Sequence, residues 1–72
     1  MARKVPIRGQ TIRLGQLLKL TGAVEGGGDV KGFLAAVPVL VNGKREARRG
    51  RQLHAGDVVR VGAEELHVVA RE

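Results

Sequence analysis

A chain of 72 residues with 13 Lys and Arg against 7 Asp and Glu carries a formal charge of +6, a field that favours polyanionic partners. At that size the core is small and little capacity remains for a deep catalytic pocket, so a surface binder is expected rather than an enzyme. Cysteine is absent, which excludes disulfides and thiolate metal sites, and with Phe33 the sole aromatic residue, binding that stacks bases on aromatic rings is nearly excluded.

In chain order, Val5 to Ile7 reads as a short first strand, which Pro6 confines to a sheet edge or a strand start. Thr11 is placed to cap a helix predicted from Ile12 to about Leu20, its hydroxyl accepting a free amide of the first turn. On that helix Leu14, Leu17 and Leu18 fall at i, i+3, i+4 and form a core stripe, while Arg13, Gln16 and Lys19 share the opposite face. Gly22 supplies the stop. The glycines of Glu25-Gly26-Gly27-Gly28-Asp29 suggest a phosphate loop only weakly, because no Gly-Lys-Ser/Thr ending follows and no parallel-sheet strand precedes. A structural entry into a second helix is the better reading, with Asp29 placing a carboxylate against the positive helix end. There Val30, Phe33, Leu34 and Val37 follow i, i+3, i+4, i+7, with Lys31 to the side, and Pro38 ends the run. The two short helices are expected to pack as a pair over a sheet.

Val39 to Val41 opens the most strongly charged stretch. Asn42-Gly43 supplies the two φ > 0 positions of a type I′ turn, so this strand should pair with Lys44 to Ala47 as a hairpin. Lys44, Arg45, Arg48, Arg49 and Arg51 ride on or just after the returning strand, five cations against the one acid Glu46. Leu53 leads to the turn Ala55-Gly56-Asp57, where Asp57 is read as bonding nearby amides. Val58 to Val61 is expected as a third strand and Leu66 to Ala70, reached through Gly62 to Glu65, as the last. Helices and strands are segregated, which gives the class α+β with a small, mainly antiparallel sheet, in one domain over residues 1–72 with an ordered core from about 5 to 70.

Other reactive side chains have structural readings. His54 and His67 are far apart in sequence and lack a third ligand at useful spacing, so no metal is expected. Glu64 and Glu65 are adjacent and point apart, which makes them solvated rather than a catalytic pair. The chain contains no Ser, so no Ser, His and Asp constellation exists, and no cofactor is expected.

Five blocks, taken together and in this order, resemble the alpha-L RNA-binding motif. They are Thr11-Ile12-Arg13-Leu14-Gly15-Gln16-Leu17-Leu18-Lys19-Leu20, Gly27-Gly28-Asp29-Val30-Lys31, Val39-Leu40-Val41-Asn42-Gly43-Lys44, Arg48-Arg49-Gly50-Arg51 and Leu53-His54-Ala55-Gly56-Asp57-Val58-Val59. That motif is the domain of the ribosomal protein S4 family, found also in pseudouridine synthases and tyrosyl-tRNA synthetases. The likeness covers nearly the whole chain and is greatest to small stand-alone bacterial members, the YaaA and YbcJ type. It implies two helices followed by a hairpin sheet, with RNA lying against the helices and the strand edge. By position it implies RNA-facing roles for Arg13, Lys19, Lys31, Lys44, Arg48, Arg49 and Arg51, the residues that charge and face also select. The chain departs from the family pattern in two places. Gly26 stands where members usually carry a Ser or Thr cap before helix two, and Val37-Pro38 stands where that helix usually ends in Gly.

The function expected is therefore that of a small RNA-binding protein that docks a basic face on the phosphate backbone of structured ribosomal or transfer RNA. Two other classes compete. A protein-interaction module of β-grasp type shares the strand-turn-strand and the Gly-Asp-Val-Val, but this chain ends in Arg71-Glu72 rather than Gly-Gly, and its two early adjacent helices disagree with the β-grasp order. A DNA-associated accessory protein would use the same basic face. No apolar run approaches the roughly 20 residues that span a bilayer, and no apolar signal-peptide core follows Arg3 and Lys4. A cytoplasmic monomer with no membrane partner is expected.

Overall fold

The computed structural model describes residues 2–25 and 28–71. The expected Gly26 cap and its neighbour Gly27 lie outside the described residues. Nine elements follow one another: β1 (Ala2–Ile7), β2 (Thr11–Arg13), α1 (Leu14–Leu20), α2 (Val30–Ala36), β3 (Val39–Val41), β4 (Lys44–Arg45), β5 (Gln52–His54), β6 (Val58–Val61) and β7 (Glu64–Ala70). Five strands form one sheet in the order β1-β7-β6-β3-β4, and β2 pairs with β5 in a separate ribbon.

The sheet is mixed, which corrects the expectation of a mainly antiparallel one. Its central strands pair antiparallel, but β1 runs parallel to β7 from Ala2 opposite Glu65 to Ile7 opposite Ala70. Local patterning identifies a strand but carries no information on which distant strand it joins, and here the partners are the two ends of the chain. Pro6 sits on this edge strand, where its missing N–H costs no ladder bond.

The core follows from alternation in the strands and from 3.6-residue spacing in the helices. Val5 and Ile7 of β1, Val39 and Val41 of β3, Val59 of β6, and Leu66 and Val68 of β7 are buried on one face of the sheet. Leu14, Leu17 and Leu18 of α1, Val30 and Leu34 of α2, and Leu53 of β5 complete the same cluster. Phe33 packs against it half-buried. The opposite sheet face presents Leu40, Val58, Arg60, His67 and Val69, and there Glu65 lies 3.4 Å from His67.

Several segments differ from their predicted form. Thr11 to Arg13 is a strand rather than the first turn of a helix, because β-branched Thr11 and Ile12 lie against β5, with Ile12 opposite the buried Leu53. The helix begins only at Leu14. Its predecessor Arg13 holds the cap position, with the Arg13 amide donating to Gln16 Oε1 at 3.4 Å. For α2 the cap is Asp29, whose carboxylate accepts from the Gly32 amide at 3.0 Å. Strand β4 stops at Arg45 because Glu46 turns its carboxylate back onto the Arg48 amide, and β7 begins two residues early, at Glu64.

The hairpin is as the sequence requires. Asn42 (φ 51°) and Gly43 (φ 85°) both occupy the left-handed region, and Val41 faces Lys44 across the two-residue turn. Among the described residues no helix is long and apolar enough to cross a membrane.

Candidate nucleic-acid interface

The start of α1 explains how the basic loop after β4 is held. A helix leaves its first amides without internal partners. Here the Leu14 amide donates to the Arg51 carbonyl and the Gly15 amide to the Arg49 carbonyl, each at 2.9 Å. The loop is thus stapled to the helix through its own backbone. Ribbon β2–β5 continues the attachment, with Arg13 opposite Gln52. Gly15 lies against the loop, where a Cβ would come into contact with Arg49 Cβ, Arg49 O and Val30 Cγ1, each at 3.4 Å. At its other end α1 is tied to β1, where the Arg3 guanidinium donates to the Thr21 carbonyl at 3.1 Å.

This arrangement brings Arg13, Lys19 and Arg49 to the lining of one open groove of about 380 Å³, together with Gly15, Val30 and Gly50. Arg13 comes from the end of β2, Lys19 from the exposed face of α1, and Arg49 from the loop. None of the three is ion-paired with a described acid. Asp29 also lines the groove, with one carboxylate oxygen engaged by the Gly32 amide. A second groove of about 740 Å³ lies across α1 and shares Gln16 and Lys19 with the first.

Arg48 and Arg51 are placed differently. Glu46 is only 8 % exposed, and both guanidinium groups close on it: Arg48 Nε donates to Oε2 at 3.2 Å and Arg51 Nη1 to Oε1 at 3.1 Å. The Arg48 side-chain hydrogen bond is the largest cause that brings the Glu46 carboxyl down to about 2, against the upward push of burial. The Arg48 side chain nevertheless remains 78 % exposed, so only part of its donor fork is committed. Lys31 is exposed on α2 beside Val30 and does not line the groove. Lys44 stands at the turn end of β4, on the sheet edge opposite from β1.

A polar clasp fixes the hairpin next to this surface. Asn42 Oδ1 accepts from the Val58 amide at 2.9 Å, and Asn42 Nδ2 donates to Asp57 Oδ1 at 3.1 Å. The other Asp57 oxygen accepts from the His54 amide at 2.7 Å, which is the structural role that the Gly56-Asp57 turn suggested. Burial pushes the Asp57 carboxyl up, and the His54 and Asn42 hydrogen bonds outweigh it, leaving the group below its ordinary value.

Sequence reading grouped the seven cations by charge and missed how Glu46 divides them. The signal was present as a single acid two residues before Arg48 and five before Arg51, but its burial was not legible. Arg8 and Arg71, which line the second groove, were also missed, because only the β1–β7 pairing puts them together.

A basic surface on a small α+β body, made by a hairpin loop folded onto a helix start, defines a binding domain for polyanions. The chain belongs to the S4 domain family, whose model matches residues 5–69. It is 46% identical over 61 residues to a Bacillus subtilis (strain 168) protein named "Probable ribosome maturation protein RlbA", a match that covers 85% of this chain and 86% of that relative.

Proposed function

We propose that this chain binds structured ribosomal RNA through backbone phosphates and acts, without catalysis of its own, in ribosome maturation. The observation that carries this reading is the convergence of Arg13, Lys19 and Arg49, none paired with a described acid, on one groove. Membership in the S4 domain family and the name of the Bacillus subtilis relative support the choice of RNA and of the ribosome. Lys31, Lys44, Arg48 and Arg51 lie outside the groove lining and add to the positive field of the whole chain. Arg48 and Arg51 also orient the loop through Glu46.

The mechanism is electrostatic. Each cation that meets a phosphate releases condensed counterions, so log K falls with log salt by about 0.9 per contact on a duplex. Three groove contacts correspond to a slope of about −2 to −3 from these residues. Arg13 and Arg49 have planar forks that can hold two phosphate oxygens at once, whereas Lys19 acts as a point charge. With no Tyr or Trp in the chain, shape and phosphate spacing set preference rather than stacking.

The test is a titration of a ribosomal RNA hairpin at several salt concentrations, with duplex DNA of equal length as competitor. The triple variant Arg13→Ala, Lys19→Ala, Arg49→Ala is expected to bind at least tenfold more weakly at low salt and with a slope shallower by about 2 to 3. Unchanged affinity and slope in a folded variant, or preference for the DNA competitor, would refute the reading.

A further inference from the structure

The second groove has its own cations and a separate structural origin. Because β1 and β7 run parallel with Ile7 opposite Ala70, the residues that follow them, Arg8 and Arg71, leave the sheet side by side. The Arg71 amide donates to the Ile7 carbonyl at 3.3 Å, which fixes this exit. Arg8, Lys19 and Arg71 line a groove of about 740 Å³ in which no described acid takes part. Neither Arg8 nor Arg71 forms an ion pair among the described residues. Apolar Ile12 and Leu20 also line it, and Leu20 is the exposed large hydrophobic residue of the described chain, at 58 %. Gln16 and Lys19 line both grooves, so the two adjoin across the outer face of α1.

We infer that the RNA path does not end at the first groove but crosses α1 into the second, where Arg8 and Arg71 take further backbone phosphates and Lys19 serves as the pivot. This rests on the RNA-binding reading above. Charge selects the occupant. A groove with three cations and no described acid matches a phosphate chain, and Lys19, shared with the first groove, lets one ligand reach both. Ile12 and Leu20 in the lining suit the sugars and base faces of a strand better than they suit water.

The experiment uses the intact chain and one ribosomal RNA hairpin, prepared with and without a single-stranded tail. The Arg8→Ala, Arg71→Ala double variant is expected to bind about tenfold more weakly at low salt, with a salt slope shallower by about 1 to 2. Arg8→Lys, Arg71→Lys should regain most of the affinity. Loss on the tailed RNA alone assigns the groove to an unpaired strand, and loss on both RNAs assigns it to the stem. Either result upholds the inference. An Arg13→Ala, Arg49→Ala variant is measured in parallel. If it weakens binding while the Arg8, Arg71 variant does not, the second groove is not part of the path and the first-groove reading stands. If neither variant changes binding, both readings fail. Unaltered RNA binding with reduced binding of a polyglutamate peptide would make the second groove a protein-docking surface and overturn the inference. Because the Arg71 anchor is a backbone amide, the side-chain replacements leave the β1–β7 pairing intact, and Arg8→Gln, Arg71→Gln serves as a second neutral variant should the alanines misfold.

Discussion

Glu46 is the buried charged side chain of the described residues, and its two Arg partners make its effect on stability opposite to its effect on binding. Glu46→Gln keeps the shape and removes the charge. Stability is expected to fall by about 1 kcal/mol, the scale of a hydrogen bond to a charged group partly open to water. Affinity for RNA is expected to rise and its salt slope to steepen, since Arg48 and Arg51 lose their internal counter-charge. The pH dependence has a definite sign. The folded carboxyl titrates at about 2 against an ordinary 4.5, so its contribution is complete above about 4.5 and disappears as pH falls through about 2. Chemical denaturation across that window should show a shallower acid limb in the variant. Asp57, also lowered, contributes in the same direction and leaves part of the limb in place.

Gly15 is a second residue whose role can be separated by size. Alanine puts a methyl group at ordinary van der Waals distance from Arg49 and Val30 and improves helix propensity, so Gly15→Ala is expected to remain within about 1 kcal/mol of the wild type. Gly15→Leu must displace the loop. It is expected to cost about 1–3 kcal/mol and to weaken RNA binding, because Arg49 moves away from Arg13 and Lys19.

At the scale of elements, the hairpin β3–β4 is held in place by Asn42, whose backbone is left-handed and whose side chain bridges to β6 and to Asp57. Two substitutions divide these roles. Asn42→Gly keeps the backbone conformation and loses the bridges, an expected cost of about 1 kcal/mol. Asn42→Ala loses the bridges and adds left-handed strain, an expected cost of about 2–3 kcal/mol. Thermal or urea unfolding of the two variants measures the difference, and equal values would mean that the turn is not strained in this way.

The same scale shows what was legible from sequence. Asn42-Gly43 specified its turn type outright, and the leucine spacing of α1 and the Val30 and Leu34 spacing of α2 located the buried faces. These signals are local, because turn dihedrals and helix periodicity are set within a few residues. The start of α1 was not legible. Thr11 is an acceptable cap in isolation, and only the carbonyls of Arg49 and Arg51, far along the chain, make Leu14 the first helical residue. Strand β5 was likewise hidden, since Gln52 to His54 is short and gains its partner from β2 alone.

For the molecule as a whole, the parallel β1–β7 pair joins the first and last strands, and the backbone bonds from Leu14 and Gly15 to Arg51 and Arg49 tie the basic loop to α1. Both are long-range contacts that composition and periodicity do not encode. They decide which cations share a surface: Arg13, Lys19 and Arg49 on one side of α1, Arg8 and Arg71 on the other. The charge itself was legible from the first count of residues, but its division into grooves was not.

RNA is expected to meet the α1 side of this body rather than the outer face of the sheet. Backbone amide chemical shifts of the labelled protein, followed while a ribosomal RNA hairpin is added, test it most directly. The largest changes are expected at Arg13, Gly15, Lys19, Arg49 and Gly50, fading as salt is raised. Largest changes at Leu40, Val58 and Val69 on the opposite face, or none at all at saturating RNA, would contradict it.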